Sequence, residues 1–331
     1  MSRTTSLSIR HLAVMVSALV AMAACQDQSP ILPAAPGAAD SGPSSIKTPK
    51  PQFYFNGIVF TGTQDVASGE LYAMNLDGTN VTRLTFDDSS DTRVDLSPNG
   101  KTMVWTRRAP GQLQGELFTA NLDGSNRTQL THFGTAIGYA RYSPDGTKIA
   151  FMMRLASGAY EIFVMNANGT NVKQLTSMNR RASVPTWSPD GSKISFQADN
   201  VAGVESIWTM NADGSNQKLL LSCVYPGCVR PKWSPVANEI AFERIAYGGI
   251  FVIDASTALD VGYIANPDHD MDAAWTKDGK QIVFNSWRGN NNDGTADLFM
   301  TAPVRGPVTA PPPVIHLTSF VGNEVLAAVS K

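Results

Sequence analysis

The side chains with the greatest chemical potential lie between predicted strands rather than within them. Carboxylates placed close together could hold a divalent cation, and an imidazole flanked by two carboxylates could ligate a transition metal. The alternative is a polar, solvated rim of loops that holds no ligand. We interpret these residues as candidates for a binding face: Asp87, Asp88, Asp91, His132, Arg180, Arg181, Asp268, His269 and Asp270.

Known catalytic patterns do not occur in the sequence. Beyond the first 24 residues the chain has three histidines, His132, His269 and His316, and it has neither a Gly-x-Ser-x-Gly nor a His-Glu-x-x-His motif. Its Asp-Gly segments lack the alternating acids and closing Glu of a calcium loop. We therefore predict no catalytic residue, no cofactor and no dedicated metal site. A divalent cation held by Asp87, Asp88 and Asp91 is the alternative.

The cysteines suggest export. Cys223 and Cys228 are separated by four residues, Val-Tyr-Pro-Gly. In an exported protein this spacing predicts a small disulfide loop, whereas a zinc site would need further thiols or imidazoles nearby.

The candidate residues are positioned by a repeat. A pair of an aliphatic and an aromatic residue recurs six times, at intervals of 46, 45, 45, 43 and 48 residues. A period near 45 with several short strands in each unit is typical of a β-propeller. The six pairs are Leu71-Tyr72, Leu117-Phe118, Ile162-Phe163, Ile207-Trp208, Ile250-Phe251 and Leu298-Phe299.

Two sets of tight turns divide each unit into four strands, which we name a to d from the channel outward. Turns such as Asp145-Gly146 and Asp190-Gly191 join strands a and b, and turns such as Asp123-Gly124 and Asp213-Gly214 join strands c and d. The a–b and c–d turns form one face of the ring, the turn face. The b–c and d–a loops form the opposite face, the mouth face.

The first unit lacks a strand a, and the segment 325–330 at the other end of the sequence has the pattern of one. We therefore predict an all-β fold over residues 52–331. It is a six-bladed β-propeller of four-stranded antiparallel blades, closed by the C-terminal strand, which supplies the inner strand of blade 1.

The repeated motifs WSPDG-x-x-I-x-F and ELY-x-MN-x-DGTN resemble the TolB-type, WD-like propeller repeat. The resemblance covers about residues 52–331 and implies the propeller fold. The TolB of the Tol-Pal system carries a separate α/β domain before its propeller, and residues 26–51 are too short for one. The resemblance therefore does not imply the Tol-Pal role.

The first 51 residues read as targeting and tether segments. Arg3, Arg10 and His11 precede an apolar run from Leu12 to Ala24, which is too short to span a bilayer and predicts a signal peptide over residues 1–24. The sequence Ala-Met-Ala-Ala-Cys that ends at Cys25 resembles the lipobox of bacterial lipoproteins, with Met where the family prefers Leu. This resemblance implies acylation of Cys25, and ordinary secretory cleavage is the alternative. Residues 25–51, rich in Pro, Ala and Ser, are a predicted tether.

These features predict a function in binding. Without residues 1–24 the chain has 24 basic and 28 acidic side chains, so no positive field would attract nucleic acid. We expect a monomeric propeller, lipid-anchored in the bacterial envelope on the periplasmic side or at the cell surface, with the outer membrane favoured. There it would bind or scaffold another envelope protein or a peptide. The alternative is a polysaccharide lyase or glycoside hydrolase whose site lies at the mouth.

Overall fold

The structure is a computed structural model of the chain. It describes residues 57–63, 68–264, 270–288, 295–306, 311–318 and 324–329. The predicted signal peptide, Cys25 and the tether lie outside these residues.

The regular secondary structure of the described chain consists almost entirely of short β-strands. In that part of the chain the helix Ile245–Tyr247 is a single 3-10 turn, and no helix there is long and apolar enough to cross a bilayer. The first twelve strands are β1 Gly57–Gly62, β2 Glu70–Asn75, β3 Thr82–Arg83, β4 Ser90–Leu96, β5 Thr102–Arg108, β6 Glu116–Asn121, β7 Thr128–Gln129, β8 Ile137–Tyr142, β9 Lys148–Arg154, β10 Tyr160–Asn166, β11 Lys173–Gln174 and β12 Ala182–Trp187.

The second half of the described chain continues this pattern of short strands. They are β13 Lys193–Asp199, β14 Glu205–Asn211, β15 Lys218–Leu221, β16 Cys228–Trp233, β17 Glu239–Arg244, β18 Gly249–Asp254, β19 Asp260–Tyr263, β20 Met271–Trp275, β21 Ile282–Ser286, β22 Asp297–Thr301, β23 Ile315–His316 and β24 Glu324–Val329.

The strands form six four-stranded antiparallel sheets. Blades 2 to 6 each use four consecutive strands, β4–β7, β8–β11, β12–β15, β16–β19 and β20–β23, and the inner strands of successive blades contact one another. Blade 1 has the order β24-β1-β2-β3, and β24 pairs antiparallel with β1, with Val329 opposite Ile58. The predicted six-bladed propeller, closed by the C-terminal strand, is confirmed.

The recurring aromatic residues are cross-strand partners. Phe60 lies opposite Tyr72 in blade 1, and Phe151 lies opposite Phe163 in blade 3 with ring centroids 5.8 Å apart. The aromatic residue of strand b lies opposite that of strand c in the other four blades as well. Such pairs stabilise a sheet beyond the apolar area that they bury.

The apolar core is divided into six clusters, each between two adjacent blades. One cluster joins Ile58 and Phe60 of blade 1 to Val283 and Leu298 of blade 6. Since a single blade would leave both of its faces in water, burial between neighbours stabilises the ring as a whole. The cluster between blades 6 and 1 closes the ring.

The c–d turns contribute to the same contacts between blades. Asp77 accepts hydrogen bonds from the backbone N–H and the hydroxyl of Thr79, which fixes the turn. The next residue, Gly78, has φ 82°, and a Cβ atom there would lie 2.3 Å from the carbonyl oxygen of Leu317 in blade 6. Glycine is therefore required by the backbone conformation and by the close approach of the next blade.

The connection between β22 and β23 in blade 6 is a long insertion compared with the other c–d turns, and it pairs with the neighbouring blade. Val304 exchanges two backbone hydrogen bonds with Tyr263 of β19, with N···O distances of 2.7 and 3.2 Å. Tyr263 belongs to the outer strand of blade 5. The insertion thereby covers part of an edge that would otherwise expose unpaired backbone groups.

Candidate binding face

Each inner strand of blades 2 to 6 carries a β-bulge at the same position of the repeat. The bulged residue has a left-handed backbone although it is not glycine, a conformation that is uncommon for such residues. Bulges redirect side chains and are frequent beside functional sites. The five residues are Arg93, Tyr139, Val184, Arg230 and Asp272, with φ between 52° and 58°.

A cavity of about 270 Å³ opens on the mouth face between blades 3 to 6. Tyr139, Val184 and Arg230 line it together with the b–c loop of blade 5. The Arg230 guanidinium binds Glu243 at 2.7 Å and Asp272 at 3.1 Å. Burial raises the pKa of Glu243 to about 7, although Arg230 opposes this shift.

The other carboxylates that line the cavity also have partners. The amide of Gln197 donates to Glu205 at 3.0 Å, and Arg181 lies 3.3 Å from the same oxygen. Asp270 is buried and forms an ion pair with Arg288. The cavity wall is thus a network of satisfied charges, which suits a preformed binding surface.

Large apolar side chains are exposed in the loops of the mouth face. Among the described residues sixteen large hydrophobic side chains are exposed, and nine of them lie in b–c or d–a loops. Exposed apolar groups that gather on one face mark interaction sites, whereas scattered ones do not. The nine are Phe86, Leu113, Phe133, Val201, Val224, Tyr225, Ile245, Tyr247 and Trp287.

Blade 5 carries the densest part of this apolar rim. The predicted disulfide between Cys223 and Cys228 is present in the structure, and it closes the d–a loop that exposes Val224 and Tyr225. The N–H of Ile245 in the b–c loop donates to the carbonyl of Gly227 at 3.1 Å. We call the four exposed side chains of these two loops the blade 5 patch: Val224, Tyr225, Ile245 and Tyr247.

The acidic candidates of the first d–a loop converge on an arginine. Arg107 binds Asp87 at 2.5 Å and Asp91 at 3.0 Å, and the indole N–H of Trp105 donates to Asp91 at 2.9 Å. Burial would raise the pKa of Asp87, but hydrogen bonds from Arg107 and Ser89 outweigh it and lower the pKa to about 2. Burial raises the pKa of the Asp91 carboxyl, against the attraction of Arg107.

The Arg107 guanidinium therefore lies between Asp87 and Asp91, where the sequence suggested a divalent metal ion. Asp91 is fully buried, and Asp88 is not joined to Arg107 by any described bond. Across the described residues no group of three or more His, Cys, Asp or Glu side chains is arranged to hold a metal ion.

The remaining candidates differ in their access to solvent. His132 is exposed and lies 3.0 Å from the amide nitrogen of Gln129, and Arg181 is exposed beside Glu205. Arg180 donates to the backbone carbonyl of Asn200 at 2.5 Å, which makes it a link between loops. Asp268 and His269 lie outside the described residues. Arg181 and Asp270 both line the cavity between blades 3 to 6. Asp87 and Asp91 lie elsewhere on the mouth face, beside Arg107.

Sequence reasoning missed a buried pair that fixes the mouth loops. In blade 3 the Thr176 hydroxyl donates to Glu161 at 2.5 Å and accepts from the N–H of Ile162 at 2.9 Å. The second oxygen of Glu161 accepts from the N–H of Asn179 in the d–a loop, at 2.9 Å. The signal was present as a Glu that precedes the aliphatic-aromatic pair and a Leu-Thr that follows it. The same bond joins Thr131 to Glu116 and Thr85 to Glu70.

The fold defines the class of the protein, a six-bladed β-propeller. Residues 111–223 match the family model described as "TolB beta propeller domain", which confirms the predicted TolB-type repeat for that segment. A comparison with curated protein sequences gave no match.

Solved structures share the fold. The chain is similar to TolB from Acinetobacter baumannii, with 16% identity and a TM-score of 0.66, over 83% of this chain and 66% of that one. This chain thus spans slightly less than two thirds of that protein. A putative TolB from Agrobacterium tumefaciens is 17% identical with a TM-score of 0.60, over 81% of this chain and 90% of that one. A chain of a nidogen/laminin complex is 11% identical with a TM-score of 0.63, over 83% of this chain and 98% of that one. At these identities the likeness concerns the fold alone.

Proposed function

We propose that this protein is an exported, lipid-anchored propeller whose mouth face binds another protein or a peptide of the bacterial envelope. The observation that carries the proposal is the concentration of exposed apolar side chains on the mouth loops. The blade 5 patch is its centre, because a disulfide and a backbone hydrogen bond hold its two loops together.

The chemistry of the patch suits protein recognition. Tyrosine and tryptophan are enriched at the centres of interfaces, since they offer a large apolar surface and a polar tip with few rotatable bonds. Polar groups such as Arg181 and His132 lie in other loops of the mouth face, where they would favour specificity and the rate of association. A rigid ring also loses little conformational entropy when a partner binds.

The propeller of the A. baumannii TolB and the chain from the nidogen/laminin complex support a role in binding by analogy of fold. The alternative of a polysaccharide-cleaving enzyme has less support. The carboxylates that line the cavity are engaged with Arg230, Arg288, Arg181 or Gln197. A pair of carboxylates free to act as acid and nucleophile is not found among the described cavity residues.

The partner can be identified by affinity purification. The full-length protein, tagged at its C-terminus, would be expressed in its native host, extracted in mild detergent and analysed by mass spectrometry. A matched variant with Tyr225→Ser and Tyr247→Ser is purified in parallel. We expect a protein that is enriched with the wild type and lost with this variant. Identical sets of captured proteins would contradict binding through the blade 5 patch.

The anchor rests on Cys25 and its lipobox-like context, and the disulfide fits a protein outside the cytoplasm. Cys25→Ala should produce an uncleaved or water-soluble form, because two or three acyl chains hold a protein almost irreversibly at a membrane. Partitioning between detergent and aqueous phases measures this. A wild-type protein found in the aqueous phase would exclude the lipoprotein assignment.

A further inference from the structure

The inner strands place two cations at one position of the repeat. This position lies two residues before the Ser or Thr that begins each a–b turn, and thus closer to the turn face than the bulges are. Its occupants in blades 2 to 6 are Asp95, Arg141, Thr186, Lys232 and Ala274.

Both cations are buried, and neither has a carboxylate partner among the described residues. The exposed fractions of Lys232 and Arg141 are 8% and 6%. In the described part of the chain the Arg141 guanidinium donates to the backbone carbonyls of Val94 and Ala140, at 3.3 and 3.0 Å. Within the described residues no hydrogen bond or ion pair joins the Lys232 ammonium to another group. A buried charge without a partner is strongly unfavourable, so this arrangement calls for an anion.

Lys232 lies near charged groups of two other inner strands. Its electrostatic neighbours include Asp95 of blade 2 and Arg141 of blade 3, although Lys232 belongs to blade 5. The inner strands of successive blades contact one another around the channel, and blades 2, 3 and 5 approach one another only there. The ammonium therefore faces the channel side of its strand.

The carboxylates near Lys232 form bonds with other groups. Asp95 accepts a hydrogen bond from the N–H of Tyr142 at 2.8 Å. Glu243 and Asp272 both bind Arg230, as described above. None of the three forms an ion pair with Lys232 or Arg141, so the two cations remain available to a ligand.

We propose that this section of the channel binds a small carboxylate anion between the Lys232 ammonium and the Arg141 guanidinium. The two oxygens of a carboxylate can accept from both cations at once, in charge-assisted hydrogen bonds. The Thr186 hydroxyl accepts from the N–H of Trp233 at 3.2 Å and keeps its own proton for a ligand oxygen. Asp95 beside the site disfavours a dianion such as hydrogen phosphate, since each added negative charge increases the repulsion.

Binding should weaken as the pH rises. Burial, reinforced by the positive charge of Arg141, lowers the pKa of Lys232 to about 7, against the attraction of Asp95, Asp272 and Glu243. The ammonium is therefore present at about pH 6 and largely lost at about pH 8.5. Glu243, with its pKa near 7, becomes ionised over the same range and adds repulsion.

The test is isothermal titration calorimetry of the full-length protein with sodium acetate at about pH 6, at constant ionic strength maintained with chloride. We expect one saturable site per chain, at least tenfold weaker binding to Lys232→Met, and unchanged binding to Lys193→Met, which alters an exposed lysine beside a turn-face hairpin. Binding should also weaken at least tenfold at about pH 8.5. Arg141→Gln provides a second variant at the site.

Several results would overturn the proposal. They are absence of acetate binding to the wild type, equal affinity of Lys232→Met and wild type, or binding of sulfate, which is a dianion at this pH, as tight as that of acetate. The melting temperature gives an independent check. Lys232→Met should melt no lower than the wild type in ligand-free buffer, because it removes an unpartnered buried charge. A clearly lower melting temperature would mean that Lys232 has a structural partner and would contradict the site.

Discussion

A carboxylate bound by a threonine recurs in blades 1 to 3 at the start of strand c. Glu70, Glu116 and Glu161 occupy equivalent positions, and each accepts a hydrogen bond from the hydroxyl of the threonine that follows strand d. Glu116 and Glu161 also accept from a backbone N–H of the mouth loop. A buried acceptor left without its donor costs about 1–3 kcal/mol. These pairs therefore stabilise the positions of the mouth loops.

Glu70 makes stability depend on pH. Burial raises its pKa from about 4.5 to about 7, against the hydrogen bond from Thr85 and the charge of Arg83. The folded state binds the proton more tightly than the unfolded state, so this contribution is present below about pH 4.5 and is lost as the pH rises through 7. Between these two pH values the free energy of unfolding of Glu70→Gln should decrease less than that of the wild type, by on the order of 2–3 kcal/mol.

Thermal or urea melts at a series of pH values measure that effect as the difference between wild type and variant. Asp213→Asn is a suitable control. Hydrogen bonds from Ser215 in an exposed turn lower the pKa of Asp213, so its titration lies below this range. A wild type and a Glu70→Gln variant with parallel stability curves would show that Glu70 is ionised in the folded protein throughout.

The disulfide should act on one loop rather than on the whole fold. Replacement of Cys223 and Cys228 by Ser should lower the free energy of unfolding by only about 2 kcal/mol, because the closed loop is short. The affinity for a partner at the blade 5 patch should decrease by more than the stability does, because the loop that carries Tyr225 loses its constraint. Mass spectrometry after alkylation, with and without reduction, tests the bond itself. Two free thiols in the exported native protein would refute it.

At the scale of elements, the inner strands both close the ring and line the channel. The strand β24 completes blade 1 by pairing with β1 across the ends of the chain. Without it β1 would expose an unpaired edge next to the channel, and the cluster that joins blades 6 and 1 would lose Val329.

Truncation after Asn323 should therefore destabilise the protein sharply. We expect a melting temperature lower by on the order of 10 °C, or aggregation, because the cost falls on the closure of the whole ring. Truncation after Ser330, which retains β24, is the control. A melt of the shorter protein that coincides with the control would show that the ring closes without this strand.

The blades were predictable from sequence because their signals are local. Alternating hydrophobic residues and Asp-Gly turns recur at a fixed period, and both depend on neighbours within one unit. The bulges were not predictable, since a residue such as Tyr139 adopts a left-handed backbone only under the constraint of adjacent inner strands. The partners of Asp87 and Asp91 were also hidden, because Arg107 lies 16 or more residues away in sequence.

At the scale of the molecule, the propeller has two unlike faces on one rigid scaffold. The turn face is made from turns that repeat closely, with side chains used to fix the backbone, as in Asp145 and Asp190. The mouth face is made from loops that differ in length and expose apolar groups. Variable loops on a rigid scaffold are where proteins most often bind.

The most direct measurement compares the affinities of two double variants of blade 5 for the purified partner. The mouth variant is Tyr225→Ser with Tyr247→Ser, at side chains 85% and 63% exposed. The turn variant is Val236→Ser with Leu259→Ser, which are 60% and 67% exposed in turns on the opposite face of the same blade. Surface substitutions of this kind should leave both melting temperatures close to that of the wild type.

Surface plasmon resonance or calorimetry then gives the two dissociation constants. The mouth variant should bind at least tenfold more weakly than the wild type, a loss of about 1.4 kcal/mol or more, and the turn variant should bind like the wild type. If the turn variant loses the partner and the mouth variant retains it, the binding face is the opposite one and the central claim is wrong.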